Sequence, residues 1–152
     1  MRPYGVEKRE HGVIGIGYEA TDLSAFVHSL TGWGVTRVFD VRLTPASRRP
    51  GFTKKTLAAA LEVAGIEYVH LPQLGNPRDN RNGYQDSADS PAGLQARQVF
   101  LTSLSSDVAN EAVDEIVAEA RKNFVAVMCY EQSELNCHRK QVLDVIRRRL
   151  DL

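Results

Sequence analysis

The residues of this chain best suited to chemistry are two cysteines and the pair that follows the second one. Cys129 closes an apolar run, and Cys137-His138-Arg139 comes shortly after it. A thiol at a helix start ionises readily, because the helix dipole and nearby cations favour the thiolate. The same helix start offers free backbone N–H groups to an anion, with Arg139 beside them. Three chemistries fit these residues. One thiolate can be a nucleophile, with His138 or His70 as its base. Cys129, Cys137, His138 and His70 can hold zinc, a lower-ranked reading because Cys-x7-Cys-His is not a usual zinc spacing. The two thiols can also form a reversible disulfide, although they are not a CxxC pair. Cys129 taken alone, at the end of a buried strand, reads as packing. The tripeptide at a helix start reads as functional.

Carboxylates offer a second chemistry. Glu19, Asp40 and Glu131 all fall at expected strand ends, where a pair of them could do acid/base or glycosyl-transfer work. Asp40 and Arg42 share a face by strand alternation, so a plain ion pair that organises the next loop is an equal reading. That loop carries Arg42, Ser47, Arg48 and Arg49, paired donors suited to a phosphate or carboxylate. A second loop, 72–91, carries Arg78, Arg81 and Tyr84. A loop of this length is usually functional or disordered, and its place at the site edge makes a mobile lid over an anionic or ring-bearing ligand the expectation. His11 and His28 have no supporting context. The Arg147-Arg148-Arg149 run matches a helix C-terminus and its dipole.

The elements that must position these residues follow from periodicity. Short apolar runs at 13–18, 35–41, 66–71 and 124–129 read as buried strands. Between them lie helical patterns. Leu23, Phe26, Val27 and Leu30 form one face, with Thr21 or Asp22 as cap and Gly32 or Gly34 as stop. Leu57, Ala60, Leu61 and Ala64 form another, capped by Thr53 and ended at Gly65. Further helices are expected at about 92–104, at 107–121 with Asp107 as cap, and from Cys137 or His138 onward. This β-α-β-α-β-(αα)-β-α order means crossover connections and a mainly parallel four-stranded sheet in a single Rossmann-like, three-layer α/β domain over residues 12–152, after a polar tail at 1–11. Ligands of such sheets bind beyond the strands' carboxyl ends. The residues gathered there are Tyr18, Glu19, Asp40, Arg42, His70, Cys129 and Glu131, with Cys137, His138 and Arg139 closing the last loop.

Composition agrees with a globular domain. The chain has 152 residues, 43% hydrophobic and 25% charged, with Lys+Arg 19 and Asp+Glu 19 giving a formal charge of +0. Disordered, collagen-like and disulfide-stapled classes are excluded. Bulk charge cannot drive nucleic-acid binding, although arginines gather on the 42–49 and 78–81 loops. No apolar run approaches the ~20 residues of a membrane span. The polar N-terminus lacks a signal-peptide pattern. A cytoplasmic location with reduced thiols, and no membrane partner, is therefore the expectation.

Five ordered blocks resemble a known family. They are Gly15-Ile16-Gly17-Tyr18-Glu19; Asp40-Val41-Arg42 with Pro45, Ser47, Arg48, Arg49 and Phe52; Leu71-Pro72-Gln73-Leu74-Gly75; Cys129-Tyr130-Glu131; and Cys137-His138-Arg139. Together they resemble the prokaryotic family named domain of unknown function 488, from about residue 12 to about residue 148. Asn76 stands where many members carry a second glycine. The resemblance implies a small α/β protein and implies no activity.

The expected function is an enzyme, a thiol- or carboxylate-dependent transferase or hydrolase, acting on an anionic or nucleotide-like small molecule. Cys129 or Cys137 supplies the thiol, and Glu131, Asp40 or His138 handles protons. Tyr18, Glu19, Arg42, Ser47, Arg48, His70 and Arg139 hold the substrate. No cofactor is expected in this reading. The alternatives are a non-catalytic nucleic-acid or nucleotide binding module and a zinc-binding domain.

Overall fold

A computed structural model of the chain describes residues 9–45, 47, 49–131 and 137–150. Arg48, expected to bind substrate, lies outside the described residues, as does most of the expected N-terminal tail.

Four strands, β1 (Gly12–Gly17), β2 (Arg37–Asp40), β3 (Glu67–His70) and β4 (Phe124–Cys129), form one sheet in the order β1-β4-β2-β3. Every pairing is parallel. All six residues of β4 are buried, because a central parallel strand is covered on both faces. The strands β2 and β3 are shorter than their apolar runs. Val35, Val41, Ile66 and Leu71 are buried in the core just beyond the paired residues.

The helices are α1 (Leu23–Trp33), α2 (Lys54–Val63), α3 (Pro91–Leu104), α4 (Asp107–Ala120) and α5 (Arg139–Arg149). Asp22 caps α1, accepting from the Ala25 amide at 2.8 Å, and Gly34, at φ 83°, ends it. Ser106, one residue before the expected Asp107, caps α4 through its hydroxyl. Asp107 instead sits in the first turn, where its charge suits the dipole.

Residues of α1 and α2 pack with Val38, Ala126 and Met128 on one face of the sheet. Residues of α3, α4 and α5 pack with Phe39, Val125 and Val127 on the other. The three-layer α/β domain read from the sequence is therefore the observed architecture. The chain leaves β2 toward one face and its neighbour β4 toward the other. That divergence opens a crevice at their carboxyl ends, the place where such sheets bind ligands.

The 72–91 segment has more local order than a structureless loop. It carries three 3-10 turns, Pro72–Leu74, Arg78–Asn80 and Asn82–Gln85, and buries Leu74, Asn76 and Tyr84. The Asn80 amide ties it together, donating to Asn76 Oδ1 at 2.9 Å and to the Ala96 carbonyl of α3 at 2.8 Å. Gly75 is needed for the segment's close approach: a Cβ there would lie 2.5 Å from Leu43 Cα. No helix among the described residues is long and apolar enough to cross a membrane.

Candidate functional site

Two buried polar clusters flank the crevice. The first follows β2. Asp40 is 0% exposed and Arg42 only 6%. Arg42 donates through Nε and Nη2 to the Asp40 carboxylate, with contacts at 2.7–3.1 Å. Its remaining nitrogen, Nη1, donates to the Phe52 carbonyl at 2.6 Å and the Tyr18 hydroxyl at 3.2 Å. Asp40 accepts further bonds from the Arg42 amide at 3.0 Å and the Tyr68 hydroxyl at 2.5 Å. Burial works against the Arg42 charge, but the Asp40 carboxylate outweighs it and holds the pKa above its ordinary value. Burial and the bond to Asp40 raise Tyr68 likewise. The Tyr18 ring stacks on Phe52 at 4.4 Å, closing the cluster from above.

The second cluster follows β4. His138 Nε2 lies 2.9 Å from the Val41 carbonyl. A carbonyl can only accept, so Nε2 carries a proton and Nδ1 is left to face sulfur. Nδ1 lies 3.8 Å from Cys129 Sγ and 3.7 Å from Cys137 Sγ. Phe100 packs edge-on against the imidazole at 5.1 Å. The Cys129 thiol also contacts Glu131 Oε2 at 3.5 Å. A hydrogen bond from Cys137 outweighs burial and, with the charge of His138, holds the Cys129 thiol well below the ordinary thiol range. Burial, then the neighbouring Cys129 thiolate, push Cys137 well above it. Burial raises Glu131, and the Cys129 charge adds to the shift. For His138 burial pulls down, but the Cys129 thiolate outweighs it and the net shift is upward.

Arg139 is 1% exposed and works as a clamp. Its Nη1 donates to the Glu131 carbonyl at 2.6 Å and the Ile16 carbonyl of β1 at 3.3 Å. Its amide donates to Cys137 Sγ at 3.4 Å. It thus joins the chain after β4 to the neighbouring strand and brings a positive charge near both thiols.

A cavity of ≈ 390 Å³ opens between the clusters. Of the sequence-expected residues, Tyr18, Arg42, Ser47, Cys129, Glu131, Cys137 and His138 line it. Asp40, Glu19, His70 and Arg139 do not. Asp40 lies behind Arg42, with both carboxylate oxygens engaged. Glu19 offers its backbone carbonyl to Arg49 at 2.8 Å. His70 Nε2 bonds the Arg42 carbonyl at 2.7 Å and supports the loop. Arg49, Asn76, Arg81, Tyr84 and Tyr130 also line it, with Leu43 and Thr44. Arg49, Arg81 and Tyr84 were legible as loop residues. Asn76 and Tyr130 carried no chemical signal beyond their places beside Gly75 and Cys129. The described contacts of Arg49 are to backbone carbonyls. Among the described residues neither Arg49 nor Arg81 has a carboxylate partner, so both leave positive charge at the cavity.

The Cys129, Cys137 and His138 donor atoms all lie within 4.8 Å of one another. This is the donor set that could hold a soft divalent metal, with the Nε2 bond to Val41 acting as the usual outer support of a ligating imidazole.

The model of the family described as domain of unknown function DUF488 matches residues 22–146, most of the chain and all of the β4 cluster. The chain belongs to this family. The resemblance carried by the five blocks is borne out, although the first block, Gly15–Glu19, precedes the matched span. No curated protein and no solved structure matches the chain. DUF488 membership names no reaction.

Proposed function

We propose that this DUF488 domain is a thiol-dependent enzyme for an anionic small molecule, with Cys129 as its nucleophile. The single observation that carries the reading is the orientation of His138. Its Nε2 is tethered to Val41, which aims Nδ1 at Cys129 Sγ beside the cavity. A nucleophile, a base within reach and a third group orienting the base form the arrangement that activated nucleophiles share. The thiolate attacks the substrate's electrophilic atom and the bond to the leaving group breaks. Glu131, kept protonated more readily by burial, stands 3.5 Å from the sulfur and can return a proton to that group. Arg49 and Arg81 would neutralise the substrate's charge at the cavity wall.

Iodoacetamide tests the reading. Native protein at neutral pH should be alkylated at Cys129 first, and Cys129→Ser should remove that adduct. Labelling that appears only after unfolding would end the nucleophile assignment.

A second reading, a zinc centre, is favoured by the donor geometry. Sulfur–nitrogen separations of 3.7 and 3.8 Å are near the ~3.5–3.8 Å edges of a tetrahedron built with ordinary zinc bond lengths. Elemental analysis of protein purified without chelator decides it: stoichiometric zinc, lost in Cys137→Ser, would replace the nucleophile by a metal ligand. The absence of any gel retardation of DNA or RNA at low salt would dispose of a nucleic-acid module.

A further inference from the structure

A lone nucleophile and its base do not account for Cys137. Its sulfur lines the same cavity as Cys129. It contacts the same imidazole nitrogen, 3.7 Å away against 3.8 Å for Cys129. Both cysteines are free thiols and both are buried. The two sulfurs lie within 4.8 Å of each other, and a disulfide would bring them to ~2.05 Å.

Resting on the reading of Cys129 as nucleophile, we infer that Cys137 is its resolving thiol and that the substrate is the disulfide of an anionic low-molecular-weight thiol. In the first step the Cys129 thiolate attacks one substrate sulfur. A Cys129–substrate disulfide forms, the substrate's own S–S bond breaks, and the departing thiolate takes the proton held on His138 Nδ1, which frees that nitrogen for the next step. In the second step Cys137 gives its proton to His138 Nδ1, and its thiolate attacks Cys129 Sγ. The Cys129–Cys137 disulfide forms and the second substrate thiolate leaves. Two electrons pass from the enzyme dithiol to the substrate, and an external dithiol reductant returns them. Arg49 and Arg81, which line the cavity, suit the carboxylates of such a substrate.

The experiment uses reduced full-length protein, the variants Cys129→Ser and Cys137→Ser, and two probes: oxidised glutathione, which is anionic, and cystamine, which is cationic. Acid-quenched samples are weighed by intact mass spectrometry. With oxidised glutathione the wild type should end two hydrogens lighter, with an internal disulfide that dithiothreitol reverses. Cys137→Ser should stall as a single glutathione adduct on Cys129, and Cys129→Ser should form none. Oxidised glutathione should react about 10-fold faster than cystamine at low salt, with the gap closing as salt rises. A wild type that stalls as the adduct overturns the role of Cys137. Equal rates for the two probes overturn the anionic substrate class. If no variant forms an adduct, the sulfur chemistry is wrong, and iodoacetamide on the same sample shows whether Cys129 remains a nucleophile. Should Cys137→Ser fail to fold, Cys137→Ala carries the same expectation.

Discussion

The two clusters at the crevice are made of similar materials and do different things. After β2, every guanidinium nitrogen of Arg42 and both carboxylate oxygens of Asp40 have partners among each other, Tyr68, Tyr18 and the Phe52 carbonyl. After β4, two thiols, an imidazole and a carboxyl share too few protons among too many acceptors, and each pulls its neighbours' pKa values. A buried ion pair whose nitrogens and oxygens are all partnered holds a loop in place. A buried cluster with divided protonation is poised to exchange one.

The comparison breaks most visibly at Asp40. Asp40→Ala leaves the Arg42 charge buried without its partner and should cost about 3–5 kcal/mol in urea unfolding. A loss below about 1 kcal/mol would mean that the pair is not the loop's anchor. Tyr68→Phe removes one bond to the carboxylate and should cost about 1.5–3 kcal/mol, with Cys129 alkylation unchanged; a slowed alkylation would show the clusters to be coupled.

On the other side, His138→Gln should leave the fold but remove the charge that helps hold Cys129 low. The pH midpoint of alkylation should rise, with the rate falling at pH values below the new midpoint. An unmoved midpoint would assign the shift to Cys137 and Arg139. The smallest effect is expected at Glu131. Its pKa is raised on folding, so its contribution to stability is full below the unfolded carboxyl value and is lost as pH rises through the folded one. Glu131→Gln should therefore be more stable than wild type at pH 8 and no more stable at pH 4. A gain that is the same at both pH values would mean that burial and the thiolate do not raise the carboxyl on folding.

Periodicity made the fold readable. The apolar run 124–129 has no polar face, and only a central strand hides both sides. The Leu23, Phe26 and Leu30 spacing allows one buried helix face. Strand ends were readable as well, so Cys129, Glu131, Tyr18 and Arg42 came from topology before any contact was known. Asn76 was not readable. It reaches the cavity because Gly75 lets its turn press against Leu43, an approach between segments far apart in the chain. Nor could sequence separate Asp40 from Glu131. Both follow the strand-end rule, yet one is spent inside an ion pair and the other lines the cavity.

What the sequence by itself determined is the set of elements, the parallel sense of the sheet and the edge on which the polar residues gather, because those follow from local periodicity and from the geometry of crossover connections. Only the tertiary structure decided which of the gathered residues are engaged and which remain able to react. That depends on which donors meet which acceptors across the sheet: Nε2 of His138 on the Val41 carbonyl, and Arg139 on Ile16. Those meetings join positions about a hundred residues apart, and no local pattern encodes them.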